Sequence, residues 1–267
     1  MINHANRREL PYRAHGFRSS VLALAIVCST TFGAAVFAAE PGANATTDQA
    51  QSADEQSDGD EFSQANHLLF MTDHLANIQP PTELIYTLAR TGDGANSYDD
   101  HVDLIVEQGD GSAKNVKVDF LTGDRHRYVP DVPNAHGNPA VMMFLQNDVV
   151  EMAQRTGGNW RFFQRQIKLA LQNAAKVEDT QTEYDGRTVA AKQIVIQPFS
   201  NARGHSDDIA DEMSKRYVFT LSDQVPGGLV EIRSEIPGAG DTAPVERLQL
   251  SEVKTDVAQQ SKDKPNA

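Results

Sequence analysis

Two amphipathic segments sit back to back in the middle of a chain that otherwise alternates like a sheet. The stretch Asn138–Ala174 reads NPAVMMFLQNDVVEMAQRTGGNWRFFQRQIKLALQNA. Asn138 is suited to cap a helix, and Pro139 to its first position, where no amide hydrogen is needed. Met142, Leu145, Val149 and Met152 recur at helical spacing, with Val141, Phe144 and Ala153 widening the stripe. Gly157 supplies the left-handed stop. Asn159 caps a second helix, whose Trp160, Phe163, Ile167, Leu171 and Ala174 share one face. Each helix is about four turns, too short to stand alone in water. Both must bury their stripes against a neighbour.

The neighbours read as strands. A short helix is expected over His67–Ile78, ended by Pro80-Pro81. After it, Leu84, Tyr86 and Leu88 alternate with Glu83, Ile85 and Thr87, Val102, Leu104 and Val106 with His101, Asp103, Ile105 and Glu107, and Val116, Val118 and Phe120 with Lys117 and Asp119. That period of two belongs to a half-buried antiparallel sheet. Arg125 to Val129 extend the pattern. Beyond the helices come VEDTQTEY, an Asp185-Gly186 turn, TVAAKQIVIQPF, a polar loop over Ser200–Ser214, the Tyr217-Phe219-Leu221 run, a Pro-Gly-Gly turn, LVEIRSEI and a last strand through Leu248 and Leu250.

Roughly eight strands at ~4.8 Å spacing make a ribbon ~38 Å wide. Two helices of ~10 Å each shelter about half of it. The ribbon must therefore curl. The expected class is α+β: a curved antiparallel sheet, half-barrel-like, with two central helices on its concave face. Such a shape can enclose an apolar cavity. Its lining would be Met142, Phe144, Leu145, Met152, Trp160, Phe163 and Ile167, since Met and aromatic groups suit adaptable apolar binding. A Met–Phe stripe is more commonly plain core.

The chain's 267 residues divide by composition. Residues 1–39 read as a secretory signal peptide: Arg7, Arg8, Arg13 and Arg18, then VLALAIVCSTTFGAAVFAA ending in small residues. The rival is a retained membrane anchor. Residues 40–66 are polar and read as a disordered linker, 67–257 as a single domain, and 258–267 as a disordered tail. Cys28 is the only cysteine, so cleavage leaves no thiol and no disulfide. Cleavage after Ala38 removes four arginines and Glu9, moving the formal net charge from −13 to −16. That acidity disfavours nucleic acid and anionic lipid surfaces as partners. No membrane span remains after cleavage.

No catalytic motif is present: no nucleophile elbow, no phosphate-cradling glycine loop and no His-Glu-x-x-His. No cofactor is implied. His67, His74, His101, His126, His136 and His205 belong to the exported part. His67 and His74, seven apart with Asp73 adjacent, fall on one side of a helix, and Asp99, Asp100, His101 and Asp103 form a second cluster. A metal needs three or four converging ligands, which spacing alone does not establish, so hydrogen-bonded or solvated histidine is the ordinary reading.

The pieces LLFMTDHLANI and TELIYTLARTG, GNPAVMMFLQNDVVEMAQRTGG, and YVFTLSDQVPGGLVEIRSEIPG resemble an uncharacterised family of exported proteobacterial proteins. The strand–helix–helix–strand layout is similar to the outer-membrane lipoprotein-carrier superfamily (LolA/LolB-like), in which a curved sheet with helices inside holds acyl chains. The resemblance implies a periplasmic home. The expected function is a non-enzymatic carrier or binding protein for a lipid or other apolar ligand. The alternative is an envelope protein-interaction or assembly module, with a closed core and an acidic outer face, that takes a protein partner and no small ligand.

Overall fold

The structure is a computed structural model that describes residues 62–92, 97–200, 212–238 and 243–255. All of them lie in the compact unit Ser57–Ala267. The expected signal peptide and tail, most of the linker, His205 and most of the 200–214 loop fall outside the described residues.

Order begins a few residues before His67. Ser63 caps a helical turn, α1 (Gln64–Asn66), by accepting from the Asn66 amide, and its hydroxyl donates to the Leu171 carbonyl at 2.7 Å. Ala65 is buried. Phe62–Asn66, assigned by composition to the linker, are thus folded. The helix expected over His67–Ile78 is instead a π-helical turn, His67–Met71, followed by an irregular path that still buries Leu75 and Ile78.

Three strands follow: β1 (Thr82–Thr91), β2 (Tyr98–Gln108) and β3 (Lys114–Phe120). Then come α2 (Pro139–Thr156) and α3 (Trp160–Asn173), and five more strands: β4 (Lys176–Tyr184), β5 (Arg187–Ile196), β6 (Arg216–Leu221), β7 (Leu229–Glu235) and β8 (Val245–Lys254). All eight form one sheet in the order β3-β2-β1-β8-β7-β6-β5-β4, and every pairing is antiparallel. The two meanders meet where the first strand pairs with the last. Asp185 and Gly186 both take positive φ, 50° and 69°, which the two-residue β4–β5 hairpin requires. Arg125–Val129 do not continue β3. They form a 3-10 turn at Gly123–Arg125 and fold back on the β3 edge through isolated bridges, Phe120 to Arg127 and Val116 to Val132.

The helix ends follow the sequence. Asn138 accepts from the Ala140 amide at 3.0 Å, Asn159 accepts from Arg161 at 2.9 Å, and Gly157 closes α2 in the left-handed region at φ 67°. Alternation assigns the sheet faces. Leu84, Tyr86, Leu88, Val102, Leu104, Ile194, Phe219, Ile232 and Leu248 turn towards the helices and join Phe144, Met152, Phe163 and Leu171 in one continuous core. That core gathers side chains from β3 at one edge to β5 near the other, a span of about six strand spacings or ~29 Å. Both helices pack against this one sheet. The register shifts between Ile85 and Tyr86 and between Thr220 and Leu221.

Candidate functional site

The seven residues expected to face a ligand lie at the helix–sheet interface. Phe144, Leu145, Met152, Phe163 and Ile167 are buried, whereas Met142 and Trp160 are half-buried. Phe163 is fully enclosed, with edge-to-face contacts to Phe162 at 5.4 Å and to Phe199 at 5.6 Å. The two clefts described in the structure lie elsewhere, and none of the seven lines either.

Both clefts open on the outer face of the sheet, the face away from the helices. The first, about 390 Å³, is lined by His101, Asp103, Asp119, Leu121, Thr122, Gly123 and His126. The second adjoins it over β1 and β2 and shares His101 and Asp103. The register explains the grouping. Asp103 and Asp119 are direct cross-strand partners, and His101 lies two residues from Asp103 on the same face. Around them the outer face is tied by ion pairs of opposite charge: Lys117 with Glu107 at 2.7 Å, Lys254 with Glu83 at 3.2 Å, and Arg247 with Glu231 at 2.5 Å. At Asp103 and Asp119 two like charges face each other instead. Their neighbours are imidazoles, His101 at 3.6 Å from Asp103 and His126 at 3.3 Å from Asp119. Asp103 Oδ1 is buried with no hydrogen bond. Burial raises the Asp103 pKa; His101 pulls it down, Glu83 and Asp119 push it further up, and Lys254 opposes them. Among the described residues, no three histidine, cysteine or carboxylate side chains come together as a metal requires.

Beneath α2 lies a second polar assembly that the sequence reading missed. Asp148, Glu151 and Arg155 share one face of α2 and meet charged groups of the sheet. Lys215 donates to Asp148 at 2.5 Å, and the Tyr217 hydroxyl donates to the other Asp148 oxygen, also at 2.5 Å. Arg90 of β1 bridges Glu151 at 2.5 Å and Glu246 of β8 at 2.8 Å. Arg155 pairs with Glu212. Asp148, Lys215, Glu212, Glu246 and Arg90 are all buried. Four carboxylates thus face three cations. Desolvation, and then the Asp148 charge, push Glu246 up to about 8. With that proton in place the assembly is neutral. The signal was in the phase of the pattern: Arg90 and Glu246 sit in step with the inward apolar positions of their strands, and Asp148 lies three residues after Leu145 in the α2 stripe.

A third network joins the start of α2 to the segment before β1. The Asn138 amide donates to His74 Nδ1 at 3.2 Å, and His74 Nε2 faces the Leu68 carbonyl at 2.8 Å. The Asn138 side-chain amide donates to the Tyr86 hydroxyl at 2.8 Å and to the Gly227 carbonyl at 2.7 Å. His67 and His74 therefore do not act together: His67 is exposed, and His74 is a satisfied core histidine.

Comparison with family models, curated proteins and solved structures finds no match. The resemblance to the lipoprotein carriers accordingly rests on layout alone. Among the described residues no helix is long and apolar enough to cross a membrane.

Proposed function

We propose that this protein is a non-enzymatic interaction module of the cell envelope, with a closed core, that docks a basic segment of a protein partner on the outer face of β1–β3. The observation that carries this reading is the Asp103–Asp119 like-charge pair, lying in a cleft with the imidazoles of His101 and His126 as its ion-pair partners, where nearby carboxylates such as Glu107 and Glu83 have lysines. A cationic group entering the cleft relieves that repulsion, and the buried Asp103 oxygen gains a donor. The formal net charge of −13 steers basic partners towards the protein. The apolar residues expected to hold a lipid are already packed against the chain's own sheet, so an apolar cargo would need α2 and α3 to part from it.

The test is titration of the full chain with an arginine- and lysine-rich octapeptide, mapped by amide chemical shifts. Perturbations centred on His101, Asp103, Asp119 and His126 are expected, and they should weaken as salt is raised past roughly 0.15 M. Asp103→Asn or Asp119→Asn should lower affinity on the order of tenfold. Shifts centred instead on α2 and α3, or tight binding of a fluorescent fatty acid with no peptide response, would overturn the reading in favour of an apolar carrier.

A further inference from the structure

His74 holds a position that only its neutral form can fill. Its Nδ1 accepts from the Asn138 amide at 3.2 Å, which leaves Nε2 to carry the hydrogen that the Leu68 carbonyl accepts at 2.8 Å. One tautomer satisfies both bonds. A second proton would have to sit on Nδ1, pointed at an N–H that is itself a donor. There is little room to turn away from it: a Cβ placed on Gly228 would come within 2.9 Å of the ring. The ring is buried, and its own backbone amide is bonded to the His136 carbonyl at 2.9 Å.

The bond at stake joins two parts of the molecule. On one side is the segment from Phe62 to Pro81, which lays Ala65, Leu69, Leu75 and Ile78 into the core. On the other is Asn138, which caps α2 and holds Tyr86 and Gly227. We propose that His74 is an acid-sensitive latch: a proton on Nδ1 breaks the bond from the Asn138 amide and loosens the 62–81 segment together with the first turn of α2. The charged surroundings do not rescue the protonated ring. Asp73, beside it in the chain, is exposed and shared with His136 of the β3–α2 loop at 3.8 Å. Lys114 of β3 reaches the Leu75 carbonyl nearby and adds positive charge. From β1 comes the Tyr86 hydroxyl, through Asn138, and from the β6–β7 turn come Gly227 and Gly228. Burial accordingly lowers the His74 pKa, outweighing the Leu68 bond and the Asp73 charge. The device is independent of what occupies the outer cleft.

The experiment is amide hydrogen exchange on the full chain from about pH 8 to about pH 5, corrected for intrinsic rates. Acid should accelerate exchange at Asn138, Ala140 and His74 by on the order of tenfold or more, while Leu104 and Ile232 in mid-sheet keep their protection. His74→Asn supplies an acceptor oxygen at the Nδ1 position that does not titrate, and should abolish the acid response. Ring nitrogen shifts of the unmodified protein provide a check that does not depend on the variant folding: they should report the Nε2–H tautomer at neutral pH. The proposal falls if the Asn138 and Ala140 amides stay protected in acid. It also falls if the sheet opens in step with them, if His74→Asn responds to acid like the parent chain, or if the ring carries its hydrogen on Nδ1.

Discussion

At the scale of single residues, a few buried polar groups join distant parts of the chain, and losing one leaves its partners unsatisfied. Asn138 satisfies the Ala140 amide, the Tyr86 hydroxyl and the Gly227 carbonyl, and its own amide meets His74. Asn138→Ala should cost about 2–4 kcal/mol, a lost cap plus buried groups left without partners, read as a lower urea midpoint with an unchanged slope. Asp148→Ala strands Lys215 in the core and should cost roughly 3–5 kcal/mol. Pairing Asp148→Leu with Lys215→Met should recover most of that loss in a double-mutant cycle. His74 sets a pH dependence whose sign follows from linkage. Burial holds its folded pKa below the ordinary histidine value of 6.5, so the folded state binds fewer protons. Its contribution is intact above the unfolded value and is lost as pH falls below it, so thermal stability should decline on acidification from about pH 6.5. Of these roles, the Asn138 cap was legible in the sequence; the buried partners of Asn138, Asp148 and His74 were not. The sequence reading left Asp148 aside and took His74 as solvated or hydrogen-bonded, of which the structure shows the second. The Asn138 partner of His74 and the Lys215 and Tyr217 partners of Asp148 come from segments far away in the chain.

At the scale of elements, the sequence was far more legible. The bounds of α2 and α3 follow from Asn138, Pro139, Gly157 and Asn159, and the strands follow from period-two runs, because caps and alternation are local physics. The reading failed at Arg125–Val129 and in the segment after His67, where loop backbone is organised by the β3 edge and the core rather than by its own pattern. The assembly under α2 also makes that helix a titratable element. Glu246 has its pKa raised from 4.5 to about 8, so the folded state holds a proton the unfolded chain gives up. Stability from this group is full below about pH 4.5 and is lost as pH climbs through 8. Glu246→Gln should flatten that part of the stability–pH curve, measured as denaturant midpoints across the range, and should slow exchange at α2 amides above pH 8 relative to the parent.

At the scale of the whole molecule, the sheet divides labour between its faces. The inner face packs against the helices, and the outer face carries ion pairs of opposite charge, with Asp103 and Asp119 as like-charged cross-strand neighbours. One antiparallel sheet carrying both helices was derivable from alternation and helix stripes, but a cavity did not follow from it, because side-chain volume decides whether a core is hollow. The clefts were legible in part: the cluster Asp99, Asp100, His101 and Asp103 stands out in the sequence and lines them, whereas Asp119 joins it only through the β2–β3 register. A group kept for binding at the expense of the fold has a recognisable signature. Burial and like charges raise the Asp103 pKa, so its ionised form opposes folding and its contribution weakens as pH rises. Asp103→Asn should therefore raise Tm by roughly 2–4 °C at neutral pH while weakening peptide binding. A purely structural aspartate would lose stability instead.

The partnership of β1 with β8 also governs how the molecule can be made. Leu84 lies opposite Val253, near the other end of the described chain. Any machinery that delivers the polypeptide from its amino end holds two unfinished half-sheets until the final strand arrives, each with a raw border, one at β1 and one at β7. Folding is then paced by the last ribbon of chain to emerge. A truncation ahead of Val245 should leave an assembly that clumps rather than a smaller version of the same protein.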